Sequence, residues 1–134
     1  LAVGICDIDH FKMINDTYGH LVGDEVLCGI VRIIESNLRR YDTLGRIGGE
    51  EFLIVTPGVK ENDAITLYQR LLSEVAENPI ETKSGSLSVT VSIGVKVLTE
   101  EEQVEELLKA ADDALYDAKR SGRNRVFIMH DRQM

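Results

Sequence analysis

Cysteine, long apolar runs and positive charge are all in short supply in this chain, and each shortage removes a class of answers. Only Cys6 and Cys28 stand among 134 residues. One possible bridge is not a disulfide framework, so the expectation is reduced, buried thiols in a cytosolic domain. No apolar run approaches the ~20 residues of a membrane-spanning helix, and no segment has the layout of a secretory signal. Lys and Arg number 15 against 23 Asp and Glu, a formal net charge of −8, which argues against a surface built to coat nucleic acid. Local basic clusters can still hold phosphate, so nucleotides stay open. There is no internal repeat, no linker-like stretch and no coiled-coil heptad.

What remains is a chain with 43% hydrophobic residues, which composition excludes from disorder. Its length suits one domain, residues 1–134, with a continuous core. It opens at Leu1 inside an apolar run, so it is expected to be a piece of a longer protein.

Periodicity supplies the elements. Leu1 to Cys6 reads as a buried strand delivering Asp7-Ile8-Asp9 into a loop. A short segment from His10 to Asn15 follows, anchored by Phe11 and Ile14, with Lys12 able to reach out. From Val22, the stripe Val26, Leu27, Ile30, Val31, Ile34 and Leu38 predicts a helix ending near Arg39, Arg40 and Asp42. Glu61 to Asn78 repeats the helical period and stops before Pro79. Gly85 marks a turn between Ile80–Lys83 and one long strand. That strand places Leu87, Val89, Val91, Ile93, Val95 and Val97 on a core face, and Ser88, Thr90, Ser92, Gly94 and Lys96 on a wetter one. After a charged entry at Glu100 to Glu102, Val104, Leu107, Leu108, Ala111, Leu115 and Ala118 line a helix that Gly122 closes. Val126 to Met129 is a last strand. Strand, helix, hairpin, helix, strand, helix, strand suits a mixed sheet with helices packed on it, an α/β or α+β palm.

The stretch Arg46 to Pro57 carries the most chemistry. Gly48 and Gly49 directly precede Glu50 and Glu51, and a strand-like run from Phe52 to Val55 follows. Ile47 and the residues before it can form the partner strand, so Gly48-Gly49 reads as a tight hairpin turn with glycine supplying positive φ. Acid groups beside bare main chain suit a polyphosphate with its metal. Two solvated glutamates on an ordinary hairpin is the plain alternative. Asp7 at a strand end, with the Ile8 carbonyl, offers the oxygen ligands that a hard cation takes. An Asp-x-Asp pair is equally a loop or helix cap. Backbone N–H groups after His10 suit phosphate if a helix starts there.

These pieces occur together in one order: Asp7-Ile8-Asp9-x-Phe11-Lys12-x-x-Asn15-Asp16, Gly19-His20, Gly23-Asp24, Arg39-x-x-Asp42, Gly48-Gly49-Glu50-Glu51-Phe52, and Ala114-Leu115-Tyr116-x-Ala118-Lys119-x-x-Gly122-Arg123-Asn124. The set resembles the GGDEF family of diguanylate cyclases, here in a GGEEF spelling with an RxxD site. The family's usual N-terminal segment, with its leucine-rich turn and Asn-Arg-Arg element, is not in this chain, in line with a piece of a longer signalling protein. The resemblance implies an α/β (α+β), palm-type, ferredoxin-like mixed sheet, mainly antiparallel and flanked by helices, as in nucleotidyl cyclases.

It implies an activity too: two GTP molecules become cyclic di-GMP plus two pyrophosphates across a homodimer, each domain holding one GTP. Asp7, the Ile8 carbonyl and Glu50 would hold Mg2+ or Mn2+, two ions per active site. Glu50 would also be the candidate base, with Glu51 a supporting carboxylate. Lys12, with the backbone around His10 and Phe11, would bind the β- and γ-phosphates. Lys119 and Arg123, four apart and on one helical face if the helix persists, would reach the same phosphates. Asn15 and Asp24 match the guanine edge; His20 is as readily structural as ligand-contacting. Arg39 and Asp42, with Arg70 as a further contact, would bind inhibitory cyclic di-GMP, whereas Arg39 and Arg40 as dipole caps at a helix end are the plain reading. The resemblance implies no nucleic-acid partner and no membrane contact by this domain, which would lie in the cytoplasm even if the full-length protein is membrane-anchored. Two rivals stand beside it: a catalytically inactive GGDEF domain binding GTP or cyclic di-GMP as an effector module, and a different palm-type nucleotidyl cyclase or polymerase.

Overall fold

The computed structural model describes residues 1–98 and 103–129. In chain order the elements are β1 (Ala2–Ile8), α1 (Phe11–Tyr18), α2 (His20–Ser36), β2 (Thr43–Arg46), β3 (Glu51–Thr56), α3 (Glu61–Glu77), β4 (Ile80–Thr82), β5 (Gly85–Leu87), β6 (Val91–Val97), α4 (Val104–Arg120) and β7 (Val126–Met129). Five strands make one sheet in the order β2-β3-β1-β6-β7, and β4 with β5 forms a separate ribbon. Every pairing in the main sheet is antiparallel except β6 with β7. A mixed, mainly antiparallel sheet flanked by helices is therefore observed, as the element order implied.

β1 lies at the centre because it is apolar from Ala2 to Cys6, with Asp7 its one charged residue; all of its residues are buried, between β3 and β6. One sheet face packs under α2 and α3, where Val26, Ile30 and Ile34 meet Cys6, Ile54, Tyr68, Leu71, Ile93 and Val95. The other face takes α4, with Ala111 and Leu115 over Ile5 and Leu53. Among the described residues no helix is long and apolar enough to cross a membrane.

Four expectations are corrected. The long strand from Leu87 is two strands: β5 leaves to pair with β4, and β6 starts at Val91. Ser88 on the second face is exposed, but over β6 that face is not wet, for Ser92 is 0% and Lys96 4% exposed. Gly94 is the reason. A Cβ there would collide with the Leu115 amide and the Ala111 carbonyl, so only glycine lets the α4 backbone settle on that face. Cys28 is exposed while Cys6 is buried, since Cys28 falls opposite the Val22, Val26, Ile30 stripe of α2. Val104 is 73% exposed at the open end of α4, on the rim of an apolar cleft with Leu98 and Leu107. The charged entry at Glu100 to Glu102 lies outside the described residues.

Gly94→Ala is expected to destabilise the chain by about 1–3 kcal/mol through overpacking. Gly45→Ala, which points into open space, is expected to shift stability by less than about 0.5 kcal/mol. Urea melts of the two variants measure the difference.

Candidate active site

The end of β1 gathers acid groups. Asp7 sits opposite Glu51 in the β1–β3 ladder, and the next residue, Ile8, donates its amide to the Glu50 carbonyl at 3.2 Å. Like charges directly opposite in an antiparallel pair repel. Lys119, in the last turn of α4, answers them: its ammonium lies 2.7 Å from Asp7 Oδ2, the Asp7 side chain being 8% exposed. Partial burial first, then the Asp7 charge, holds the Glu51 carboxyl above its ordinary value, with Lys119 pulling the other way.

The glycine pair is not a two-residue turn. β2 stops at Arg46, the Ile47 and Gly48 amides both donate to the Glu51 carbonyl at 3.0 and 3.3 Å, and neither Gly48 nor Gly49 has positive φ. A longer loop does not need the mirror-image turn. What glycine supplies here is an absent side chain: a Cβ on Gly49 would meet open space. Arg46 closes the loop from inside. Its Nε donates to the Gly48 carbonyl at 3.0 Å, and its Nη2 to the Gly49 carbonyl at 2.6 Å. Nothing in the sequence marks Arg46 for this role, because an arginine at a strand end carries no local signal of a loop clip.

Beside this loop lies a cleft of about 370 Å³, lined by Phe11, Lys12, Asn15, His20, Asp24, Leu27, Arg46, Gly49 and Glu50. Six of the residues singled out in the sequence thus share one wall system. Gly23 leaves room for the Asn15 side chain at the junction: a Cβ there would strike the Asn15 amide oxygen and push that side chain aside. α1 begins at His10, in the left-handed region at φ 58°, and no side chain caps it. Its first intrahelical bond is Ile14 to the His10 carbonyl, which leaves the Phe11, Lys12 and Met13 amides to other acceptors.

Arg123 is not where helical spacing put it. α4 ends at Arg120, Gly122 takes φ 123° and Arg123 φ 62°, so Lys119 and Arg123 do not share a helical face. Arg123 instead stands on a reversed turn whose Asn124 amide reaches Asp9 Oδ2 at 2.9 Å.

Arg39, Asp42 and Arg70 are separate from the cleft. α2 ends at Ser36, and its carbonyls are met by Ser36 and Asn37 side chains on Ile33, so Arg39 is no dipole cap. The Arg39 fork grips Asp42 (Nη2 to Oδ1 2.7 Å, Nε to Oδ2 3.0 Å) and also donates to the Pro57 carbonyl at 2.7 Å. Burial pushes the Asp42 carboxyl up, but the hydrogen bonds from Arg39 bring it below its usual value. Arg39 and Arg70 together line a cavity of about 240 Å³ with Thr66 and Asp63.

The donors at the β1 end are all oxygen, the chemistry of Mg2+ or Mn2+ rather than a soft metal. Among the described residues no three His, Cys, Asp or Glu side chains converge tightly enough to hold a metal alone. A hard cation fits here when phosphate oxygens complete its shell. The carboxylate crowding sets a pH dependence. Because the folded state raises the Glu51 pKa, its penalty is absent while the group is protonated and sets in as pH rises through the folded value. Glu51→Gln is expected to raise Tm by roughly 1–3 °C at about pH 7 without divalent ions, and by nothing measurable near about pH 4. Thermal melts at the two pH values check this.

A family profile described as "Diguanylate cyclase, GGDEF domain" matches residues 1–125. The chain is 47% identical over 122 residues to diguanylate cyclase DgcM of Escherichia coli, covering 91% of this chain and 29% of that protein. It is 41% identical over 128 residues to diguanylate cyclase DgcP of Pseudomonas aeruginosa, covering 96% and 19%. It therefore spans less than a third of either relative's length. Among solved structures it is similar to the active GGEEF domain of a diguanylate cyclase from Vibrio cholerae, with a TM-score of 0.89, 35% identity, and 98% of this chain and 83% of that one covered. A second is the GGDEF domain of DgcB from Caulobacter crescentus in complex with c-di-GMP, with a TM-score of 0.89, 34% identity, and 95% and 76% covered. On this match in sequence and fold over nearly the whole chain, it belongs to the GGDEF domain family of diguanylate cyclases.

Proposed function

We propose that this chain is a diguanylate cyclase catalytic domain, which condenses two GTP into cyclic di-GMP with release of two pyrophosphates. The observation that carries the reading is the single cleft joining Lys12, Asn15 and Asp24 to Glu50, beside the Asp7–Lys119 pair. Guanine needs an acceptor for N1–H and the exocyclic amine, which Asp24 supplies, while Asn15 both donates and accepts. Adenine in the same place leaves those groups unpaired. His20 stands on the same wall as a further polar contact. Lys12 and the amides opening α1 suit the β- and γ-phosphates, with Lys119 and Arg123 approaching from α4 and its following turn.

In the reaction the ribose 3′-hydroxyl oxygen of one GTP bonds to the α-phosphorus of the other. The bond from that phosphorus to the bridging oxygen breaks, and pyrophosphate leaves. Repeating the step with the roles exchanged closes the ring. Glu50, which lines the cleft, would take the hydroxyl proton. Glu51 supports it as the second acid. Asp7, the Ile8 carbonyl and Glu50 would hold Mg2+ or Mn2+, two per site, which when bound supplies charge neutralisation on the triphosphate. Each domain holds one nucleotide, so two copies must face each other, and catalysis is mainly positioning.

Product feedback is the second part of the proposal. Arg39 presents a planar fork that can trade Asp42 for a guanine edge or phosphate, and Arg70 lies across the same cavity. Membership of the family leaves open an inactive domain that only binds nucleotide, and the assay below separates the two.

The 134-residue chain with GTP and Mg2+ or Mn2+ is expected to form cyclic di-GMP, with specific activity rising as protein concentration rises. Glu50→Gln is expected to lower turnover by at least about 100-fold with an unchanged Tm. Near-parental activity in that variant would show that the acid assignment is wrong, and no product from the parent at any concentration would favour the binding module. Arg39→Ala is expected to abolish product inhibition and weaken cyclic di-GMP binding by at least about tenfold, measured by calorimetry, with initial turnover close to the parent's.

A further inference from the structure

Asp9 is the second acid of the Asp7-Ile8-Asp9 triplet, and the proposed chemistry does not use it. It is 4% exposed. Its carboxylate accepts from Thr90 Oγ1 at 2.7 Å, from Ser92 Oγ at 2.6 Å and from the Asn124 amide at 2.9 Å. Its own amide donates to the Thr90 carbonyl at 2.9 Å. A buried acid with so complete a set of donors is placed to hold something still.

What it holds is the turn after α4. Gly122, Arg123 and Asn124 have φ of 123°, 62° and 46°, three positive values in succession. Two of these residues carry a Cβ, which disfavours that region, so the turn persists only because its surroundings over-determine it. The Arg123 amide donates to the Ala118 carbonyl at 3.0 Å, which ties the turn back to α4. The Arg125 carbonyl accepts from the Ile93 amide at 3.0 Å, which ties its exit to β6. The Asn124–Asp9 bond connects the turn to the end of β1, two residues from the Asp7 that pairs with Lys119.

We infer that Asp9 is a positioning residue for the triphosphate: its carboxylate clamps the Gly122–Asn124 turn and so places Arg123 beside Lys119 and the first turn of α1. The inference rests on the phosphate reading of Lys119 and Arg123. A carboxylate suits the task because it only accepts, and the Thr90 and Ser92 hydroxyls fix both its oxygens before the Asn124 amide arrives. Arg123 is thereby set in its reversed turn before any nucleotide enters, and the ligand does not have to order it.

The test uses the 134-residue chain and magnesium tripolyphosphate, read by calorimetry. Asp9→Leu keeps much of the volume and offers no acceptor; Arg123→Ala removes the guanidinium. Each is expected to weaken binding about tenfold. The double variant is expected to be no weaker than either single one within about twofold, since Asp9 acts through Arg123. Asp9→Asn keeps an oxygen for the Asn124 amide and gives Ser92 a donor to accept, so binding is expected to return to within about threefold of the parent. Should Asp9→Leu fail to fold, Asp9→Leu with Thr90→Val and Ser92→Ala replaces the whole polar cluster by apolar groups and takes its place. An Asp9 that only stabilised the fold would lower Tm and leave the affinity of the folded protein at the parent's value. That result, or additive losses in the double variant, overturns the inference. Parental binding by Arg123→Ala would instead remove the phosphate reading beneath it, and the inference with it.

Discussion

Acid groups crowded at the end of one buried strand are the constraint from which the rest of this structure follows. Asp7, Glu51 and Glu50 lie within a cross-strand neighbourhood, and the nearby ammonium of Lys119 meets Asp7 at 2.7 Å. Partial burial first, and then the Asp7 charge, raise the pKa of Glu51. The fold tolerates the repulsion because β1 is gripped along its length by β3 and β6. The molecule thus carries a standing demand for positive charge at one point of its surface. An all-oxygen donor set with that demand is what a divalent cation and its phosphates satisfy.

Around that point the chain spends its arginines as clips. Arg46 holds the Gly48 and Gly49 carbonyls, which fixes the loop carrying Glu50. Arg39 holds Asp42 and the Pro57 carbonyl on a separate face, where the segment after α2 meets the β3 exit. The two differ in what they hold. Arg46 serves two backbone carbonyls, whereas Arg39 serves a side-chain carboxylate as well as one backbone carbonyl. Asp9 does for the Arg123 turn, with an acid, what Arg46 does for the glycine loop with a base.

Much of this was legible from residue order, and the departures are specific. The apolar run of β1, the helical stripes of α2 and α3, the stop at Pro79 and the last strand from Val126 all follow from local pattern, and all are present. The resemblance to a known family, carried by motifs in one order, pointed to Phe11, Lys12, Asn15, His20, Asp24 and Glu50, and these do share one cleft. By contrast, Ser92, Gly94 and Lys96 read as a wet face because alternation cannot show that α4 will cover them. Gly122 read as the helix stop, but that Arg123 and Asn124 also take positive φ, which turns Arg123 away from the Lys119 face, has no local signal.

The division has a physical basis. Periodicity, turn chemistry and residue type are short-range properties, so they determined which segments are strands and helices and which side chains carry acid or amide groups. Which groups then touch depends on crossings between segments far apart in the chain. The Lys119–Asp7 pair spans 112 residues, and the Asn124–Asp9 bond 115. Tertiary packing alone decided that Lys119 neutralises Asp7, that Glu51 is pressed into a raised pKa, and that Asp9 anchors a turn from the other end of the chain. Those contacts exist only once α4 has settled on Gly94, since that crossing brings the end of α4 to the end of β1.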